Sequence, residues 1–400
     1  MEALRSNNIT ASALNSNTPY AEKNRIHRDL ETGHPITRLL YVTPELCSTP
    51  RFRQKLELVH EQKELARVVV DEAHCISEWG HDFRKDFVRL SWFRETFPDV
   101  PIMCMTATAN QHVREDILKV LRLDISPNRL KTFLMTPQRE NLHLEIRYTK
   151  DGDDSRLSDF LRWIRAVYER RREESISTEL KKLNERVEGV SGIIYTTSRD
   201  ECESLSAALR DEGVAAKPFH ARLSKEAKEQ TLAKWIANEP GYDIIVATTA
   251  FGMGIDKADV RFVVHWRLPK SLEGYYQEAG RAGRDGNASY CFLYYSREDL
   301  ERTTRMIKNA SKEGSKEGSN YDARLKSLQA LALYCENTDD CRHAVICKYF
   351  GQSEPVTCDF TCDWHKDAAD LEERFIKGLA STDWVSTQAM QGTYDCYDYE

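Results

Sequence analysis

Short apolar runs alternate with longer stretches of helical period along most of the chain. In its first third the runs 38–43, 66–70, 101–105 and 129–135 are almost continuously apolar and end in polar or small residues. That is the pattern of strands covered on both faces of a parallel sheet. It returns over 142–149, 192–196, 215–220, 242–248, 260–267 and 289–295. Such runs, spaced by helix-length segments, predict an α/β chain of two lobes, each a parallel sheet covered by helices, with bounds 1–136 and 137–305. A charged stretch, 151–188, breaks the second repeat; it includes a helix over 157–172 and reads as a surface insertion with a solvated helical face. A hydrophilic linker around 308–320 leads into a helical, cysteine-bearing segment, so that 306–368 form a third, small subdomain. The remainder, 369–400, is polar and aromatic without periodicity and is assigned no fold.

Charge narrows the partners. With 57 basic and 64 acidic residues the net charge is −7. That excludes a generally basic nucleic-acid coat and confines any nucleic-acid site to a local groove or loop. No apolar run approaches the roughly 18 residues a membrane span needs. Five of the eleven cysteines fall between Cys335 and Cys362. In a long chain without a secretory signal pattern, such clustering points to metal binding in a reducing, intracellular compartment, not to disulfides.

Four peptides carry candidate chemistry. The run Val68-Val69-Val70 delivers Asp71, Glu72 and His74 to the carboxyl end of a strand, where open α/β sheets bind ligands. Of two adjacent acids there, the first suits Mg²⁺ and the second suits polarising an attacking water. Met105-Thr106-Ala107-Thr108-Ala109 ends another strand with small hydroxyl residues able to hydrogen-bond between the acids and a neighbouring domain. In Thr248-Thr249-Ala250-Phe251-Gly252-Met253-Gly254-Ile255-Asp256-Lys257 the glycines let the backbone approach a ligand, with Thr248 and Asp256 facing a phosphate, a ribose or a nucleic-acid backbone. Gln277-Glu278-Ala279-Gly280-Arg281-Ala282-Gly283-Arg284 sets two arginines three apart, a helical spacing that would point both guanidiniums to one side. Converging guanidiniums suit the charge on a transferring γ-phosphoryl group.

Together these peptides resemble motifs II, III, V and VI of superfamily 2 helicases, and in detail the RecQ DNA helicases. The diagnostic stretch is Cys75-Ile76-Ser77-Glu78-Trp79-Gly80-His81-Asp82-Phe83-Arg84, similar to that family's aromatic-rich loop. Tyr41-Val42-Thr43-Pro44-Glu45 looks like its DNA-backbone motif. The resemblance implies two RecA-like lobes, the first incomplete, followed by a helical zinc-binding subdomain. It implies ATP-dependent 3′–5′ unwinding of DNA in replication, recombination and repair, in the nucleus. ATP, Mg²⁺ and Zn²⁺ would be the cofactors, and single-stranded DNA and duplex junctions the partners. By the same resemblance Asp71, Glu72, His74, Arg281 and Arg284 are catalytic, and Gly254, Asp256 and Gln277 bind nucleotide. Thr43, Trp79, His81, Phe83, Arg84 and Thr248 meet DNA, and Thr106 and Thr108 couple the lobes. Trp79 and Phe83 offer stacking faces, which suits single strands.

The same resemblance places zinc near the end. Sixteen residues separate Cys341 from Cys358, three separate Cys358 from Cys362, and two separate Cys362 from His365. These thiolates and an imidazole suit a tetrahedral Cys₃His site. His365 stands where family members usually offer a fourth cysteine, and Cys335 and Cys347 compete for the fourth place.

Two departures matter. Phe219-His220-Ala221-Arg222-Leu223 resembles a segment that usually carries glycine at Arg222; an arginine there would either add a phosphate contact or obstruct the groove. No Gly-x-x-x-x-Gly-Lys-Ser/Thr loop occurs in the chain, so the nest that cradles nucleotide phosphates is missing. In the family this loop lies upstream of the segment matching Met1. The expectation is an incomplete sequence of a full helicase, catalytically incompetent as it stands. The alternative is a protein that binds DNA without hydrolysing ATP.

Overall fold

The computed structural model describes residues 4, 6–32, 34–77, 84–108, 110–126, 128–150, 155–182, 185–249, 251–252, 255–313, 318–352, 358 and 362–379. The chain divides into two compact units, Met1–Met135 and Thr136–Glu400.

In the first unit β1 (Ala11–Leu14) pairs in parallel with β2 (Leu39–Val42), and β3 (Val68–Val70) with β4 (Ile102–Cys104). The helices α1 (Tyr20–Glu31), α2 (Pro50–Glu61) and α3 (Gln111–Val120) bury Ile26, Leu30, Phe52, Val59 and Ile117 in one core with Val70. The other faces of β2, β3 and β4 are bare: Leu39, Tyr41, Val69 and Met103 are exposed, unlike the two-sided burial their apolar runs predict. The short strand β1 was not anticipated, because Ala-Ser-Ala-Leu lacks the β-branched and aromatic residues that mark strands. The expected strand over 129–135 does not form, and Phe133, Leu134 and Met135 stand exposed.

The second unit is built on six parallel strands. These are β5 (Leu142–Tyr148), β6 (Gly192–Tyr195), β7 (Ala216–Phe219), β8 (Ile244–Ala247), β9 (Phe262–His265) and β10 (Ser289–Tyr295), in the spatial order β5-β10-β9-β6-β8-β7. Alternation drives two-sided burial. Ile193, Ile245 and Val263 enter one core, while Ile194, Val246 and Val264 enter the other.

The charged stretch is no solvated insertion. Its helix α4 (Ser155–Arg172) buries Phe160, Leu161 and Ile164 against Phe262, Phe292 and Trp266, and α5 (Glu174–Lys182) follows it. Arg156 is buried as well, bonded to Asp299 at 2.7 Å and to the carbonyl of Trp266 at 3.0 Å. The same core takes Leu205 and Leu209 from α6 (Arg199–Asp211). On the opposite face Trp235 of α7 (Lys225–Ile236) and Tyr275 of α8 (Leu272–Ala279) are buried.

The expected linker is largely helical: α9 (Arg297–Glu313) and α10 (Gly318–Glu336) occupy most of it, since Lys and Glu favour helix. After α11 (Arg342–Tyr349) and α12 (Asp363–Lys366), α13 (Ala368–Leu379) occupies the start of the stretch that was assigned no fold. Leu328, Leu331, Tyr334 and Ile346 join the core of the sheet, so the cysteine-bearing segment is continuous with the second unit.

Candidate active site and zinc centre

The acidic pair leaves β3 as expected. The peptide N–H of Glu72 donates to Asp71 Oδ1 at 2.9 Å. Glu72 itself adopts a left-handed conformation, φ 50° and ψ 43°, at the head of a tight helical turn over Ala73–Ile76. For a residue with a Cβ this costs about 1–2 kcal/mol, and such strain clusters where a side chain must be aimed. The turn is pinned to the next strand by Ala73 N–H donating to the Met105 carbonyl at 2.9 Å. His74 is buried, its Nδ1 standing 3.0 Å from Thr106 Oγ1 and 3.4 Å from Glu72 Oε2. Thr106 also accepts the Thr108 N–H at 3.1 Å. One imidazole therefore links the acids to the Thr-Ala-Thr strand end. The buried Thr108 hydroxyl has no hydrogen-bond partner among the described residues.

Thr43 precedes the short helix Pro44–Cys47, and its hydroxyl, bonded to Glu45, holds that carboxyl below the usual carboxylate range. Arg84 is half-buried, and its N–H donates to the Cys75 carbonyl at 2.9 Å. Trp79, His81, Phe83 and Gly254 lie outside the described residues.

In the second unit the two arginines do not lie on a helix, although both bear electrostatically on the buried Tyr195 hydroxyl. The helix α8 ends at Ala279 and a run of turns follows. Gly283 has φ 55°, and a Cβ there would fall 2.4 Å from Asn141 Nδ2, so glycine is required and the helix cannot continue. Arg281 is 8% exposed, its Nε lacks a partner, and no carboxylate lies within ion-pair distance among the described residues. A side chain on Gly252 would come within 3.0 Å of its guanidinium. Arg284 is exposed and locally engaged, donating to the Ile255 carbonyl at 3.1 Å and to Asp256 Oδ1 at 3.3 Å. Gln277 is half-buried on α8. Lys257, just past Asp256, turns inward to Asp259 and Asn238, both at 2.8 Å.

A cleft of about 400 Å³ opens at the carboxyl ends of three strands. It is lined by Thr197, Ser198 and Arg199 after β6, Arg222 after β7, and Thr248 and Thr249 after β8. Thr197, Ser198 and Arg199 were missed in the sequence. Their signal was an N-cap: Ser198 Oγ accepts the Glu201 N–H at 3.1 Å directly after an apolar strand.

Four ligand atoms gather behind α10. Cys341, His343, Cys358 and Cys362 are all buried and lie within 4.8 Å of one another. The sulfur of Cys362 is 3.8 Å from Cys341 and 3.7 Å from Cys358. A tetrahedron with Zn–S bonds near 2.3 Å has an S···S edge of about 3.8 Å, so the donor set fits zinc without rearrangement. Three of the four expected ligands are therefore brought together. His365 is not in the set: it is half-buried, with Nδ1 3.4 Å from Cys362 Sγ. His343 takes its place, with Nδ1 3.4 Å from Cys358 Sγ. It lies only two residues after Cys341, in the first turn of α11, whereas the sequence offers His365, Cys335 and Cys347 for the fourth place. Cys335 and Cys347 are buried outside the set.

Comparison with known proteins accords with this layout. Residues 2–117 match the DEAD/DEAH box helicase family, 174–286 the helicase conserved C-terminal domain, and 297–366 the RecQ zinc-binding family. The RecQ-like DNA helicase BLM of Xenopus laevis is 40% identical over 357 residues, 88% of this chain and 24% of that protein. The ATP-dependent DNA helicase Q5 of Mus musculus is 38% identical over 388 residues, 95% of this chain and 37% of that one. A solved structure of the Mycobacterium smegmatis helicase Lhr bound to ssDNA and AMP-PNP shares the fold, with TM-score 0.50 and 20% identity over 76% of this chain and 37% of that one. The three matched segments define a helicase core with parallel-sheet, RecA-like architecture and a zinc-binding domain behind it. The chain belongs to the RecQ helicase family. It spans about a quarter to two fifths of the length of these relatives.

Proposed function

We propose that this chain is the greater part of the motor of an ATP-dependent 3′–5′ DNA helicase acting in replication, recombination and repair in the nucleus. The observation that carries this reading is Arg281: a buried guanidinium with no carboxylate in ion-pair distance among the described residues is a costly feature unless an anion completes it. A phosphoryl group is such an anion. In this reading Asp71 holds Mg²⁺, which supplies charge neutralisation on the phosphates. Glu72, aimed by its left-handed backbone, orients the attacking water, and Arg281 and Arg284 stabilise the transferring group. Gly254, Asp256 and Gln277 contact the nucleotide, and Thr106 and Thr108 couple hydrolysis to movement through His74. Thr43, Trp79, His81, Phe83 and Arg84 of the first unit meet DNA, and Thr248 in the cleft of the second unit does so too. Zinc, held by Cys341, Cys358, Cys362 and His343, supplies folding energy and takes no part in turnover.

One observation favours a second reading. The 400 residues contain no Gly-x-x-x-x-Gly-Lys loop, the backbone nest that cradles nucleotide phosphates. This reading expects a protein that binds single-stranded DNA and does not turn over ATP. The test is ATP hydrolysis with and without single-stranded DNA, for the chain alone and for a version preceded by the phosphate-loop segment of a relative. The helicase reading expects DNA-stimulated turnover from the extended version only. Silence from both leaves a DNA-binding regulator, and turnover by the chain alone defeats the claim that it lacks a competent nucleotide site.

A further inference from the structure

The arginine that replaces the usual glycine after β7 has a definite place in the structure. Arg222 lies in the turn between β7 and α7, and the backbone of that turn is fixed. The Leu223 N–H donates to the His220 carbonyl at 3.2 Å, Lys228 Nζ donates to the Ala221 carbonyl at 2.9 Å, and the buried His220 is tied to Glu203 at 2.8 Å. Arg222 is not among the residues with positive φ, so this turn does not demand glycine. Its side chain is 69% exposed and lines the cleft without filling it, since about 400 Å³ stays open beside it. Its nearest acid is Asp200, 3.9 Å away and 95% exposed, a loose and well-solvated pair. Asp200 itself lines the cleft, with Ala221, Arg199 and a set of hydroxyls from Thr197, Ser198, Thr248 and Thr249. Guanidinium and hydroxyl donors in this arrangement match a phosphodiester, and none of the described lining residues offers an aromatic face for bases.

We propose that Arg222 adds a phosphate contact to the single-stranded DNA track of the second unit, and that Asp200 competes with the phosphate for it. The cleft is thereby a stronger backbone clamp than the glycine form would be, with no added sequence preference. This rests on the DNA-track reading of Thr248. Each phosphate neutralised on a single strand contributes about 0.7 to the slope of log K against log salt, which amounts to roughly fivefold in affinity at 0.1 M salt.

The experiment is fluorescence anisotropy of labelled oligo(dT) with the full chain over a salt series. Arg222→Gly is expected to weaken binding about fivefold at 0.1 M salt and to flatten the slope by about 0.7, with Arg222→Lys restoring the slope. Asp200→Asn is expected to tighten binding more when Arg222 is present than in Arg222→Gly, a coupling that a merely structural turn residue would not produce. If Thr248→Ala weakens binding while Arg222→Gly leaves affinity and slope unchanged, the Arg222 contact is wrong and the track stands. Tighter binding by Arg222→Gly shows an obstruction and overturns the proposal. If neither Thr248→Ala nor Arg222→Gly matters, or the chain does not bind oligo(dT), the track reading fails and the proposal with it. Equal or tighter binding of oligo(rU) with the same Arg222 dependence would move the substrate to RNA and overturn the choice of DNA.

Discussion

The Arg342 guanidinium and the Asp363 carboxylate meet in a two-pronged ion pair, Nε to Oδ1 at 2.8 Å and a terminal nitrogen to Oδ2 at 3.2 Å, with almost no solvent on either side chain. Each follows a metal-set cysteine, Cys341 and Cys362. The pair reaches outward too. Asp363 Oδ2 accepts the Ile146 N–H of β5 at 2.9 Å, and Arg342 donates to the Tyr334 carbonyl of α10 at 2.6 Å. A backbone bridge between Leu144 and Cys362 runs alongside. The zinc centre thus covers the edge of β5 that would otherwise expose unpaired backbone groups.

Asp363→Asn therefore leaves a buried guanidinium without its counter-charge, and breaking such a pair costs about 3–5 kcal/mol. The expected result is a large fall in the urea midpoint of the second unit, with faster zinc release to a chromogenic chelator. An unchanged midpoint would show that the pair is no brace.

Zinc content should follow the sulfurs and discriminate between the two histidines. Cys358→Ser and Cys362→Ser are expected to lose the metal measured by elemental analysis. His343→Ala should lose it and His365→Ala should keep most of it, because only the His343 nitrogen lies within 4.8 Å of all three sulfurs. Retention by His343→Ala with loss in His365→Ala would restore the ligand set that cysteine spacing alone suggests.

Acid should weaken the second unit through Glu145. Burial alone would raise its carboxyl, but the His143 imidazole 3.7 Å away and the hydrogen-bonded Arg147 guanidinium at 3.0 Å overcome this and hold it down at about 2. The unfolded chain takes up that proton near the ordinary value of 4.5. Stability from this group is thus fully present above about pH 4.5 and is lost as pH falls toward 2, by roughly 3 kcal/mol in all. Urea midpoints between pH 5 and pH 2.5 should fall more steeply for the native chain than for Glu145→Gln. Parallel curves would mean the carboxyl is not held down.

What was legible in the sequence follows from what each signal measures. The strands of the second sheet could be read because Ile193 and Ile194 are both buried, one on each face, and continuous apolar runs record that directly. The helix α4 was misjudged because its arginines dominate the composition while Phe160, Leu161 and Ile164 form the stripe that decides its fate. Peptide chemistry located Asp71, Glu72 and the cysteines, since strand ends and thiol clusters are local features. It misjudged the backbone at Arg281 and Arg284, where the spacing suggests a helix and glycine turns carry them instead. It also failed for His343, because only the fold shows that the start of α11 faces two cysteines further along the chain.

Arg281 gives the sharpest test, because stability and function should move in opposite directions. Its guanidinium is buried beside Gly252 and the buried Tyr195, with no carboxylate in ion-pair distance among the described residues, so its charge is desolvated and only partly compensated. A methionine of similar length would fill the space without that cost. Arg281→Met is expected to raise the stability of the chain by about 1 kcal/mol, seen as a higher urea midpoint at unchanged slope, the usual signature of a site kept for activity. Pyrophosphate should raise the melting temperature of the native chain and not that of Arg281→Met, since a ligand stabilises only the form that binds it. A loss of several kcal/mol in Arg281→Met would instead show the guanidinium to be a structural brace, and the phosphoryl-binding role assigned to it would fall.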